Sequence, residues 1–137
     1  MNYAKLAEQI ARKAHEGQWR RPNRKDGNYR FPYIHHPAMV ARRFNDDIHK
    51  SIAWLHDVFE MSNISNIILL KFPNEVLEAV MLLTKKKEQN YYEYIYNLKK
   101  NRYAKAVKIQ DILHNYKTAT KKQKQKYDAA LKILKEK

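Results

Sequence analysis

Apolar residues recur at three- and four-residue steps from the first turn of the chain. Tyr3, Leu6, Ala7, Ile10, Ala11 and Ala14 mark one face of a helix predicted over 3–15. Gly17 ends it, as a residue that tolerates left-handed backbone. The period then stops. Residues 17–36 are punctuated by Pro22, Gly27 and Pro32 and hold Arg20, Arg21, Arg24, Lys25 and Arg30, so a long loop is predicted, of a length that is usually functional or disordered. Pro37 suits the first position of a second helix running to about Phe44. Asp46 or Asp47 is placed to cap a third, which carries Ile52, Ala53, Leu55 and His56. Ser62 or Asn63 opens a short helix to Phe72, and Pro73 starts another with Val76, Leu77, Val80 and Leu83 inward. Residues 85–90 form a polar connection. Helices follow near 91–100, 102–117 and 121–135, the last with Tyr127, Ala130, Leu131 and Leu134 on one face. No strand pattern, internal repeat or linker stands out. The expected fold is all-α, a single domain over 1–137 built of about seven or eight helices.

Composition agrees with that expectation. Two glycines and four prolines in 137 residues leave little to break helices. With no cysteine, disulfides, thiolate metal sites and a cysteine nucleophile are excluded, and a cytoplasmic setting fits. No apolar run approaches the roughly 20 residues that span a membrane. The basic N-terminal segment contains Glu8 and Glu16, which argues for an ordinary helix over a transit peptide. The net charge of +14 points to polyanionic partners, either phosphorylated nucleotides or, as the lesser expectation, nucleic acid.

The candidate chemistry centres on His56-Asp57, a polar pair closing the apolar stretch 51–55. With His36 and Asp111 it makes two imidazoles and two carboxylates, a nitrogen–oxygen set suited to one divalent cation with positions left for water and substrate. Metal-assisted hydrolysis of a phosphate ester is the chemistry this favours. A helix places residues i and i+4 on one face, so Glu60 lies one turn above His56 and three residues from Asp57, placed as a general acid or base. His114 and Asn115 lie one turn beyond Asp111 and would line the same cavity. His35 reads as a neighbour of the ligand, His15 as structural support and His49 as solvated. The aromatic run Tyr91-Tyr92-Glu93-Tyr94-Ile95-Tyr96 reads as core with an amphipathic rim, and the lysine-rich run 121–126 as a solvated helix face.

Several segments occur in a telling order. They are Ala14-His15-Glu16-Gly17-Gln18 with Arg20-Arg21, Pro32-Tyr33-Ile34-His35-His36-Pro37, Ala53-Trp54-Leu55-His56-Asp57-Val58-Phe59-Glu60, Leu83-Thr84-Lys85, and 106–115 with Asp111, His114 and Asn115. Lys126-Tyr127-Asp128-Ala129-Ala130-Leu131 closes the series. Together they resemble the HD superfamily of metal-dependent phosphohydrolases, and within it the hydrolase domain of RelA/SpoT-type alarmone enzymes and their small stand-alone relatives. The resemblance implies that His36, His56, Asp57 and Asp111 bind one metal ion. Manganese is usual in the family, and the ligands would also accept iron, cobalt or zinc. It implies removal of pyrophosphate from the 3′ position of guanosine tetra- or pentaphosphate by a water that the metal activates, with Glu60 assisting. It further implies that Arg20 and Arg21 meet base and phosphates, and that Tyr33, Lys108, Asn115 and Thr118 serve the nucleotide pocket. The synthetase domain of the long members has no counterpart in the sequence.

Two positions depart from the family pattern. Met61 stands where a second carboxylate is common. If that carboxylate is needed, its loss lowers the rate on the order of 10²–10⁴-fold. Arg24-Lys25 competes with Arg20-Arg21 as the match to the family's basic pair. Another nucleotide or phosphate ester as substrate, or a weakened protein that binds an alarmone or nucleic acid, therefore remain the alternative readings.

Overall fold

The three- and four-residue period of the apolar positions is met by helices. The computed structural model describes residues 2–20 and 31–136. In it α1 spans Tyr3–Ala14 and buries Ala7, Ile10, Ala11 and Ala14, the face expected from the pattern. It is followed by α2 (His35–Ala41), α3 (Asp47–Leu55), α4 (Val58–Met61), a 3-10 helix over Asn66–Lys71, α5 (Asn74–Leu83), α6 (Tyr91–Lys99), α7 (Arg102–Tyr116) and α8 (Lys121–Lys135). No helix among the described residues is long and apolar enough to cross a membrane.

α3 is the axis of the fold. Ser51, Ile52, Ala53, Trp54 and Leu55 are all buried, so this helix is covered on every side. α1, α2, α5 and α7 pack around it, while α6 and α8 pack against one another and against α7. The one hydroxyl in that buried run is satisfied within the helix, since Ser51 Oγ donates to the Asp47 carbonyl at 2.8 Å.

Side chains cap several helix starts; the short helix expected from Ser62 or Asn63 begins instead at Asn66, as a 3-10 turn capped by Ser65. Asp46 caps α3 by accepting the His49 amide at 2.9 Å. Asp47 acts elsewhere: its carboxylate accepts the amides of Tyr3 (3.2 Å) and Ala4 (2.8 Å), capping the start of α1 from a distant part of the chain. Thr120 and Gln123 form a reciprocal capping box at the start of α8.

Three expectations are corrected. The segment after Gly17 is more than a loop: Trp19–Arg20 (β1) pairs antiparallel with Phe31–Pro32 (β2), Trp19 opposite Pro32. Two-residue strands are too short to show a period of two in the sequence. Second, α2 begins two residues before Pro37 and stops at Ala41, with turns continuing to Arg43. Third, the helix from Asp47 does not run on through Glu60. It stops at Leu55, His56 and Asp57 form a turn, and α4 restarts at Val58. Gly17 takes φ 76°, as its expected role requires. Arg21, Arg24, Lys25 and Arg30 lie outside the described residues.

Replacing Asp47 removes the acceptor for two first-turn amides of α1. Asp47→Ala is expected to lower stability by about 1–2 kcal/mol, read as a lower urea midpoint with an unchanged slope.

Candidate metal centre

The break between α3 and α4 is made by a side chain. No glycine or proline stands there. His56 Nδ1 lies 2.5 Å from the Ala53 carbonyl, which takes the His56 backbone amide only at 3.5 Å, so the imidazole N–H is the closer donor on that helix-end acceptor. That bond fixes the proton on Nδ1 and leaves Nε2 pointing inward. Asp57, at the start of α4, makes no side-chain cap bond, so its carboxylate is free to turn toward the same point.

α2 and α7 supply the remaining groups. His36 sits in the first turn of α2, and Asp111 in the second half of α7. His36 Nε2 lies 2.7 Å from Asp111 Oδ1 and 3.7 Å from Asp57 Oδ2. His56 Nε2 lies 3.3 Å and 3.2 Å from the same two oxygens. One donor atom from each of the four residues falls within 4.8 Å of all the others. His36, His56 and Asp111 are at most 4% exposed, and Asp57 is half-buried.

Charge explains how such a cluster is held. Burial by itself pushes both carboxylates toward protonation. The Lys108 ammonium, 2.9 Å from Asp111, outweighs this with His56 and His36 and holds Asp111 well below the usual carboxylate range. Burial is likewise outweighed at Asp57, mainly by His56. Burial opposes a charge on His56, yet Asp57 and Asp111 raise its proton affinity well above that of a free imidazole. Burial wins at His36, which is lowered despite Asp111. Two ionised carboxylates facing two inward-pointing nitrogens form a site that positive charge completes. The donor set fits one divalent cation.

The surroundings brace these groups. Tyr33 donates its hydroxyl to Asp57 Oδ2 at 2.7 Å, and its ring lies 4.8 Å from the buried ring of His15. His15 Nδ1 meets Gln18 Oε1 at 2.9 Å. The amide nitrogen of Gln18 donates to the carbonyls of Met61 (2.5 Å) and Ala14 (3.2 Å). Arg20 Nη2 donates to Asn115 Oδ1 at 2.5 Å, and Asn115 Nδ2 passes the chain on to Asp111 Oδ1 at 3.1 Å.

The other expected site residues divide. Arg20, Tyr33 and Asn115 adjoin the cluster as described. Lys108 does too, but its ammonium is engaged by Asp111 and lies 5.1 Å from the Tyr94 ring. Thr118 is in the turn after α7, where its amide donates to the Asn115 carbonyl at 3.2 Å. Arg21 is outside the described residues. Because α4 is a separate helix, Glu60 does not ride one turn above His56 on a continuous helix. It is exposed, and its Oε1 accepts the Lys85 amide. Partial burial raises its proton affinity, the Lys85 bond opposes this, and Asp57 adds to the rise. His49 is not solvated. It is half-buried, stacked 4.9 Å from Phe44 and bonded to Asp46.

Sequence reasoning passed over Gln18, which ties α1, α4 and the hairpin together; its two partner carbonyls are backbone groups with no sequence signal. His114, expected to line the cavity, does adjoin the cluster, but its contact with His36 Nδ1 at 2.7 Å was not foreseen; its proton affinity is lowered to about 4 by burial and by His36, Arg20, Lys117 and His35 around it. Its place three residues after Asp111, on the same face of α7, accounts for the part that was foreseen.

No family model matches the sequence, and no curated protein matches it. One solved structure, described as "A metazoan ortholog of SpoT hydrolyzes ppGpp and plays a role in starvation responses", superposes with a TM-score of 0.72 at 23% identity, over 98% of this chain and 84% of that one. The likeness shows the fold. The chain shares the helical architecture of that structure over nearly its whole length.

Two outcomes follow from the charges. Lys108→Met strips Asp111 of its buried partner and is expected to cost about 3–5 kcal/mol in chelated protein, measured by urea unfolding. His114 takes its proton at about 4 when folded against 6.5 otherwise, so the unfolded chain is protonated there first as pH falls. Its contribution to stability is full above about pH 6.5 and is lost as pH falls toward about 4. In chelated protein His114→Gln should therefore lose less stability than wild type across that window.

Proposed function

We propose that this chain is a metal-dependent phosphohydrolase that removes pyrophosphate from the 3′ position of guanosine tetraphosphate, leaving GDP. The observation that carries the reading is the convergence of His36, His56, Asp57 and Asp111 on one point. Its setting supports the choice of substrate, because a solved structure of the same architecture is described as hydrolysing ppGpp. The four residues hold one divalent cation, with manganese the first choice and iron, cobalt or zinc the alternatives. When bound, it supplies Lewis acidity toward water and phosphate oxygens.

The remaining work falls to this chain's own groups. Asp57 is oriented by the Tyr33 hydroxyl, and Asp111 by Lys108 and Asn115. Glu60 takes the Lys85 amide on Oε1, which leaves Oε2 to receive a proton from the attacking water and return it to the leaving oxygen. Its raised proton affinity suits a group that must do both. Arg20 holds Asn115 through Nη2, while Nη1 is buried with no partner among the described residues, a donor ready for a phosphate oxygen. Its guanidinium also lies 5.5 Å from the Tyr33 ring, so nucleotide and ring share one wall. The positive surface, +14 overall, favours a substrate of high negative charge.

Met61 favours a second reading. It is 42% exposed beside Glu60 and offers no group that moves a proton. A different nucleotide or phosphate ester as substrate, or alarmone binding with weak turnover, would follow if Glu60 alone does not suffice.

Release of pyrophosphate and GDP from guanosine tetraphosphate, with added manganese and a chelator control, tests the proposal. Metal-dependent release is expected. Retained activity in Asp57→Asn would overturn it. Glu60→Gln is expected to lower kcat by about 10²–10⁴-fold while manganese still binds. A marked gain in turnover for Met61→Asp would identify the missing carboxylate as the limiting defect.

A further inference from the structure

The two histidines of the cluster are oriented by different means. His56 presents Nε2 to the carboxylates because its Nδ1 meets the Ala53 carbonyl, a group that can only accept. His36 also presents Nε2, but its Nδ1 meets another imidazole, His114 Nδ1, at 2.7 Å. The ring centroids are 4.9 Å apart with planes inclined by only 26°. That separation is close to the N···N distance plus the two ring radii, so the rings lie edge to edge with the nitrogens facing. The contact is a hydrogen bond in the ring plane, not a face-to-face stack. Only one of two facing nitrogens can carry the shared proton. If His36 holds it on Nδ1, Nε2 has its lone pair inward. If His114 holds it, His36 Nε2 carries a proton inward, donates it to the Asp111 carboxylate oxygen 2.7 Å away, and is no ligand until that proton moves to Nδ1.

We propose that His114 is a positioning residue, accepting the Nδ1 proton of His36 so that His36 Nε2 is presented to the cation as a lone pair. The inference rests on the cation site proposed above. A partner on the far nitrogen of a metal-bound imidazole fixes both tautomer and ring direction, and its removal typically weakens metal binding by about 10- to 100-fold. His114 is well supported in that task. It is on the same helix as Asp111, one turn away, so α7 delivers one ligand and the support of another from a single rigid element. The His35 ring lies near it as well, ring centroids 6.1 Å apart.

Manganese affinity, measured by titration calorimetry on purified full-length protein, tests this without any substrate. His114→Phe keeps the ring volume but cannot accept, and is expected to weaken manganese binding by about 10- to 100-fold. His114→Gln offers an amide oxygen and should recover most of the loss. Equal affinity in wild type and His114→Phe would overturn the inference while leaving the cation site standing. No manganese uptake by wild type would overturn both. Should His114→Phe fail to fold, nitrogen NMR of the zinc-loaded wild type decides the matter. A proton on His36 Nδ1 is expected, and coordination through Nδ1 would overturn the role given to His114.

Discussion

Asp57 and Asp111 stay ionised while facing the same two imidazole nitrogens in the interior of the helices. Bringing two carboxylates together away from water is unfavourable unless positive charge lies close by. Much of the structure answers that requirement. Lys108 is drawn under Tyr94 to reach Asp111, His56 ends its own helix and is left facing both acids, and Tyr33 and Asn115 donate to their oxygens. The hydrophobic core around α3 supplies the rigid surface against which these groups are set.

The helices were legible because each buries one face. The positions expected to point inward in α1, α5 and α8 are buried or half-buried, and a solved structure of the same helical fold superposes on nearly the whole chain. The interruption after Leu55 was not legible, since no residue between Leu55 and Val58 is a conventional breaker. A side chain bonding back to a carbonyl ends the helix, and that choice depends on the acids His56 must face. The same circumstance misplaced Glu60, whose position was extrapolated along a helix that does not continue. The hairpin escaped notice for a different reason, its strands being only two residues each.

The four convergent residues were named from their chemistry and order, and the fold brings them to one point. What the sequence could not supply was the layer behind them. Gln18 to Met61, Arg20 to Asn115 and His36 to His114 are contacts across separations of 43, 95 and 78 residues. Each involves a side chain whose type fits many roles. Only the folded arrangement selects one.

Gln18 holds Met61 through its backbone carbonyl, and the methionine side chain is left partly in solvent. The scaffold at position 61 is thus maintained without regard to which side chain stands there. Exposed positions of this kind usually accept exchange within about 0.5 kcal/mol. Methionine there can therefore be exchanged for an acid, or the reverse, in a single step without first having to repair the fold.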